Sequence, residues 1–357
     1  MTLSSSAIIH DPIGRYPQAT VACFDPTCGN LPRRQLDEAR TMVYLERLAS
    51  AGAMATLIAS STGRGHLRTI DELTAWFDCA ARADTGEMLR LALLRPEDGL
   101  DANKRLLDRL AAMHYPVVFF RPGTDLDPSA LDEEVSASLA PLVSAAAERD
   151  LAIGLYSISD VSGLPLTPEA VARLVVSSGG GHIVAVKVTE KDYERSTARF
   201  LVHPDLKRLK IVQGWDPHLG RALRDGPRHD SDGRQRVGIT SGLMALAVYQ
   251  YRYLLQAASE EDWDEVAQAH QACTLLFQAM QDDPHRFADL QRAKYIMGLG
   301  QPLTGTVTSA QVKRIFKALE SLPRPQDRRR VARSLDLMGD GPYHRYLRRL
   351  YELKPNP

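Results

Sequence analysis

The chain has 357 residues and 44 Lys plus Arg against 44 Asp plus Glu, so its net charge is zero. That balance argues against a nucleic-acid or other polyanion-binding protein, and the length suits one large α/β domain plus an extension. Four cysteines, Cys23, Cys28, Cys79 and Cys273, stand without CxxC spacing, which argues against a zinc framework or disulfide scaffold and fits a reducing compartment.

The N-terminal stretch MTLSSSAIIHDPIGRYP lacks a basic segment followed by an apolar core, so no signal peptide is expected. No apolar run is long enough to span a membrane, and a cytoplasmic protein is expected. Eight strands are predicted in chain order: ATVACF (19–24), AMATLIAS (53–60), MLRLALL (88–94), YPVVFF (115–120), LAIGLYS (151–157), IVAVKV (183–188), LKIVQG (209–214) and RVGITS (236–241). Amphipathic segments such as LPRRQLDEARTMVYLERLASAG and DANKRLLDRLAAMH lie between them. Repeated βα units imply parallel strands, and eight of them close most naturally into a (β/α)8 TIM barrel. An open doubly wound sheet is the runner-up, but no GxGxxG follows the first strand.

From about residue 243 the pattern is helical. LMALAVYQYRYLLQAAS would serve as the eighth barrel helix, and later segments form a C-terminal helical extension. The expected division is a catalytic barrel over 1–255 and an extension over 256–357. The basic segment RPQDRRRVARSLDLMGDGPYHRYLRRLYELK reads as a surface tail with its arginines on a solvated helix face.

The sixth strand carries one lysine in an apolar run. By strict alternation Ile183, Ala185 and Lys187 share one face, and Val184, Val186 and Val188 the other. The all-valine face suits packing against helices, and the face ending in Lys187 suits the interior near the barrel's C-terminal mouth, where barrels of this kind hold their chemistry. In the fifth strand Ala152, Gly154 and Tyr156 are expected on the inward face. Neighbouring strands lie about 4.8 Å apart, so Tyr156 and Lys187 would project into one mouth. A lysine deprived of water loses basicity, and its neutral amine can capture a ketone as an imine. A phenol beside it can move the protons. The competing reading is a strand-end lysine that reaches out to solvent beside a core aromatic.

The second strand ends in ASSTGRGHL. The hydroxyls of Ser61 and Thr62, with the backbone N–H groups of a tight turn, make a cradle for a carboxylate. The same Ser-Ser-Thr-Gly pattern also serves as a helix N-cap. Taken with Lys187 and Tyr156, the turn points to a 2-oxo acid.

With these residues in view, the sequence resembles the dihydrodipicolinate synthase/N-acetylneuraminate lyase family of class I, pyruvate-type aldolases. The likeness runs from about residue 15 to 320 through six fragments in matching order: ASSTGRGHL, LYSISDVSGLPLTPEAVARL, IVAVKVTEKD, IVQGWD, VGITSGLMAL and AKYIMGLG. The resemblance implies Lys187 as the Schiff-base lysine, Tyr156 as the phenol, and Ser61 and Thr62 as carboxylate binders. It further implies that Ile239 lies beside the oxo acid through its backbone. It implies a (β/α)8 barrel with C-terminal helices, assembled as a homo-oligomer, a dimer or tetramer, that needs no metal or organic cofactor. Several positions depart from the family pattern. Arg64 replaces a usual glutamate, and Ser157, Ser159 and Val161 replace Asn, Pro and Arg. Loss of that arginine argues against dihydrodipicolinate synthase itself, and Phe119, Phe120 and Arg121 suggest a different second-substrate pocket.

The expected activity is that of a lyase or aldolase acting on a 2-oxo acid, making or breaking a C–C bond with pyruvate as one component and an aldehyde as the other. Two alternatives stand beside it: a dehydratase or hydratase-aldolase using the same imine on a sugar-acid or aromatic 2-oxo acid, and an inactive ligand-binding barrel. Other signals carry less. His66 reads as a surface or capping residue, and His229, Asp230 and Asp232 as a solvated loop rather than a metal site. SSGGGH precedes a strand instead of following one, so it reads as a turn. Trp215 reads either as mouth lining or as packing.

Overall fold

The computed structural model describes residues 3–28, 35–229, 233–281, 288–303 and 307–352. Eight parallel strands close into one barrel in sequence order: β1 (Ala19–Ala22), β2 (Ala55–Ile58), β3 (Leu89–Leu93), β4 (Val117–Phe120), β5 (Ala152–Ser157), β6 (Ile183–Val188), β7 (Lys210–Gln213) and β8 (Val237–Ser241). Each lies within a predicted run. Helices connect them, as a parallel sheet requires. The inward side chains, among them Leu57, Leu91, Val117, Ala152 and Val212, form their own apolar cluster. The outward ones, such as Val21, Ile58, Val118, Leu155 and Ile211, join the helices in a second, larger core.

The interior cluster also takes in Ile8 and Tyr16, which precede β1. Ile8 is on a helix, Ser5–His10, that lies against β5 and β6 and stops the N-terminal end of the barrel. At this end Lys210 turns inward and donates to the carbonyls of Ile13 and Gln235 and to Gln18 Oε1, at 2.7–3.1 Å.

Strict alternation fails in β6. Ile153 pairs with Ile183, but Gly154 pairs with Ala185, so one extra residue is inserted at Val184. Val184 and Ala185 both join the interior cluster, while Ile183 packs in the outer layer. The expected grouping of Ile183 with Ala185 and Lys187 is therefore corrected. The bulge also sets the register: beyond it Tyr156 stands beside Lys187, where an unbulged pair would place it beside Val186.

The eighth barrel helix spans Val248–Ser259, so a boundary at residue 255 falls inside it. The extension follows as helices Trp263–Met280, Ala288–Ile296, Ser309–Glu320, Pro325–Leu335 and His344–Glu352. The basic segment forms two packed helices and not a loose tail, although Arg333, Arg345, Arg348 and Arg349 are exposed, as a solvated helix face requires. Val331, Leu335 and Leu347 are buried. Arg330 stacks 3.4 Å over the ring of Tyr253 and Arg333 4.2 Å over that of Tyr249, both on the eighth helix. Arg324 bonds Asp327 and Glu265.

Candidate active site

Lys187 and Tyr156 are paired neighbours near the C-terminal ends of β6 and β5. Lys187 is only 4% exposed, which removes the solvent-reaching alternative. Its Nζ sits over the phenol ring, 4.0 Å from the centroid. No hydrogen-bond acceptor for this nitrogen occurs among the described residues. Burial lowers its pKa to about 7, against a smaller opposing pull from the Asp216 carboxylate. Burial also raises the Tyr156 phenol above its ordinary range, with the Thr189 and Ser61 hydroxyls drawing it partway back. The phenol thus keeps its proton at neutral pH. The Ser61 and Thr189 hydroxyls beside it are buried and close no well-formed hydrogen bond among the described residues.

The turn after β2 is held from several sides. Ser60 Oγ donates to the Cys23 carbonyl at 3.2 Å and accepts from Gly63 N–H at 3.4 Å. Arg64 N–H donates to Ser61 O and Gly65 N–H to Ser60 O, each at 3.0 Å. Ala59 and Arg64 both sit at φ +60°, which non-glycine residues rarely adopt. Gly65 must be glycine, because a Cβ there would lie 1.8 Å from the Ala59 carbonyl oxygen. Ser61 and Thr62 are buried at the head of this turn and cap no helix. The next α-helix, Ile70–Arg82, takes its cap from Thr69 with Glu72 in a reciprocal pair.

Asp216 follows β7 and went unassigned in the sequence reading, although it belongs to the quoted IVQGWD fragment. Its Oδ1 accepts from Ser241 Oγ at 2.5 Å and from Tyr251 OH at 2.7 Å. His270 Nε2, on the Trp263–Met280 helix, lies 2.7 Å from the Asp216 carbonyl. Gly214 makes room for the lysine. A Cβ there would stand 2.1 Å from Thr189 Oγ1 and 3.3 Å from Lys187 Cε. Ile239 packs its side chain in the outer layer and donates its N–H to the Gln18 carbonyl at 2.8 Å. Of the five residues expected to act, Lys187, Tyr156 and Ser61 come together, Thr62 turns its hydroxyl toward Gly242 after β8, and Ile239 has only backbone to offer.

The second-substrate side differs from expectation. Phe120 faces the outer layer and lines nothing in the mouth. Phe119 faces inward, but its ring fills the place a Gly154 side chain would take, one layer below Tyr156. Arg121 is buried and bonds Glu97 and the Pro122 carbonyl. Ile158 belongs to the apolar cluster around Tyr156, and Val161 packs on that cluster. Glu190 was also missed: it accepts from Ser157 Oγ, Ser159 N–H and Ser159 Oγ at 2.6–2.9 Å and ties the loop after β5 to β6. Trp215 packs edge-to-face on Phe277 of the extension, 5.3 Å between centroids. Asp230 and Asp232 lie outside the described residues, and no group of three metal-binding side chains occurs among the described ones.

No protein-family model and no curated sequence matches this chain. Solved structures match its fold. A sialic acid aldolase from Ruminococcus gnavus superposes with a TM-score of 0.70 at 10% identity, covering 89% of this chain and 97% of that one. A dihydrodipicolinate synthase from Bacillus anthracis gives 0.66 at 17% identity over 87% and 99%. A variant of the Sulfolobus solfataricus 2-keto-3-deoxygluconate aldolase gives 0.67 at 14% identity over 85% and 95%. At these identities the likeness establishes a shared fold, the (β/α)8 barrel with C-terminal helices.

Proposed function

We propose that this protein is a Schiff-base aldolase acting on a 2-oxo acid, with pyruvate as one component of the C–C bond made or broken. The observation that carries the proposal is the Lys187 amine: buried, without an acceptor among the described residues, lowered to about 7, and stacked on Tyr156. The three fold neighbours named above are called aldolases or a synthase, which agrees with this reading.

In the cleavage direction the neutral Lys187 amine attacks the C2 carbonyl. The carbinolamine hydroxyl takes the phenolic proton of Tyr156 and leaves as water, giving a protonated imine and a phenolate. The Tyr156 phenolate then takes the proton of the C4 hydroxyl as the C3–C4 electron pair moves into the imine, which restores the phenol for the next proton transfer. An aldehyde departs, and the enamine left on Lys187 regains a proton at C3. Water then releases pyruvate and restores the amine. Ser61 and Thr62 hold the carboxylate throughout, and the buried Ser61 hydroxyl has a donor to give it. Asp216 supplies the negative charge that eases the iminium once formed. No step calls for a metal or organic cofactor.

The second substrate is read as an uncharged aldehyde, since Val161 and Ile158 give the mouth an apolar wall beside Tyr156. The same wall favours the second reading, a hydratase-aldolase working on an aromatic 2-oxo acid through the same imine. Borohydride reduction in the presence of pyruvate tests the proposal. The expected result is a mass increase on the peptide carrying Lys187, abolished in Lys187→Ala. Ligand binding without any adduct would leave an inactive binding barrel instead.

A further inference from the structure

We infer that Gln291, on the Ala288–Ile296 helix of the extension, is a positioning residue for the Ser61–Thr62 turn. Its side-chain amide fixes the Thr62 carbonyl and thereby aims the Ser61 and Thr62 hydroxyls at the carboxylate of the 2-oxo acid. The inference rests on the function proposed above.

Gln291 is fully buried, and its Nε2 donates to the Thr62 carbonyl at 2.8 Å. The turn's own backbone bonds use the carbonyls of Ser60 and Ser61, and among the described residues the Thr62 carbonyl has no backbone donor. The peptide plane that carries this carbonyl also carries the Gly63 N–H, which Ser60 Oγ accepts at 3.4 Å, so the plane is held from both edges and the Thr62 side chain beside it is fixed in direction. Two residues of the segment, Ala59 and Arg64, hold positive φ without being glycine. Such a conformation persists only where its surroundings impose it.

The same helix grips the segment at two more points. Lys294 Nζ donates to Asp25 Oδ1 at 3.1 Å, and Arg68, just past the turn, pairs with the other oxygen of Asp25. Leu290 meets Thr62 over Gly242, where a Cβ would lie 2.4 Å from Leu290 Cδ1 and 2.5 Å from Thr62 Oγ1.

Gln291 is also a poor choice for packing alone. Its Oε1 is buried and has no partner among the described residues. A buried acceptor left unmade costs stability, and an apolar side chain of similar length would avoid that cost. What the amide contributes is its donor, and that donor is spent on Thr62.

The test compares two ketones in borohydride trapping at Lys187: pyruvate, and hydroxyacetone, which forms an imine but has no carboxylate. In Gln291→Met the half-saturating pyruvate concentration is expected to rise about tenfold. Trapping of hydroxyacetone is expected to stay within about twofold of wild type, because only the carboxylate cradle has lost its aim. A role confined to folding would weaken both ketones alike, and that result, or an unchanged pyruvate curve, overturns the inference. Gln291→Glu provides a second variant should Gln291→Met fold poorly. It keeps the length, turns a carboxylate toward the Thr62 carbonyl, and is expected to lose pyruvate selectively as well. Wild-type protein that traps neither ketone overturns the proposed function, and the inference with it. Wild-type trapping with no selective change in the variants overturns the inference alone.

Discussion

Three lysines are buried among the described residues, and two of them are spent on structure. Lys210 donates to three oxygens at the closed end of the barrel, and Lys294 pairs with Asp25. Lys187 has burial without such compensation, so its charge is the term that gives way. With a pKa lowered to about 7, half of Lys187 is neutral near that pH, where an ordinary lysine would be neutral in roughly one part in three thousand. Because the attacking species is the deprotonated amine, trapping of pyruvate is expected to rise with pH through about 7 and to level off above it; a rise centred near 10 would refute the assignment. Asp216 favours the ammonium, so removing its charge lowers the pKa further. Asp216→Asn should move the midpoint of the same profile to lower pH while keeping an acceptor for Ser241 and Tyr251. Gly214→Ala drives a methyl group into Thr189 Oγ1 and crowds the lysine stem. The expected outcome is a folded protein, by circular dichroism, with at least a tenfold slower adduct. Lys187 and Tyr156 were legible in the sequence because strand alternation places a polar end on an otherwise apolar face. Asp216 was not, since its importance comes from Ser241 and Tyr251, which reach it across the fold.

At the level of the element, the turn after β2 separates two serines that look alike in sequence. Ser60 Oγ is spent on the Cys23 carbonyl and the Gly63 N–H, whereas Ser61 Oγ stands beside the Tyr156 phenol and closes no well-formed hydrogen bond among the described residues. Ser60→Ala leaves a buried carbonyl and a buried N–H short of a partner and should cost about 1–3 kcal/mol of stability. Ser61→Ala should leave the melting temperature nearly unchanged and raise the half-saturating pyruvate concentration several-fold. Melting curves and trapping measured on both variants check the contrast; equal effects of the two on stability would remove Ser61 from the site. The strand β6 teaches a different lesson. Its position and ends were readable from the apolar run IVAVKV, but the extra residue at Val184 was not. No glycine or proline marks it, and alternation counted from either end gives a consistent, wrong grouping of Ile183. The bulge follows from barrel closure: β6 must match β5 at Ile153 below and at Tyr156 above, and the two registers differ by one.

For the whole molecule, eight strands separated by helical segments fixed a closed parallel barrel, because topology leaves few other ways to cover both faces of such a sheet. The extension was harder to place, since helical periodicity says which face is apolar and nothing about what covers it. The structure answers with one continuous core: Tyr251 and Leu254 of the eighth helix, Leu276 of the Trp263–Met280 helix, Ile315 and Leu335 share a cluster with the outer layer of the barrel. The aromatic rings of the eighth helix also carry Arg330, half-buried, and Arg333, which remains exposed as expected of a solvated face. A shared apolar core, with buried polar contacts such as Lys294–Asp25 and Gln291–Thr62 across the same junction, predicts a single cooperative unfolding unit. Leu276→Ala truncates a buried side chain of the extension and should remove about 2–5 kcal/mol. If barrel and extension unfold together, calorimetry of wild type and variant shows one peak each, the variant's displaced to lower temperature, and the ability to trap pyruvate at Lys187 disappears over the same interval. Two resolved peaks, with trapping retained after the first, would instead make the extension a separate domain. The distinction bears on the proposed chemistry as well as stability, because the Ser61–Thr62 turn, proposed as the carboxylate cradle, takes one of its holds, Gln291, from the extension.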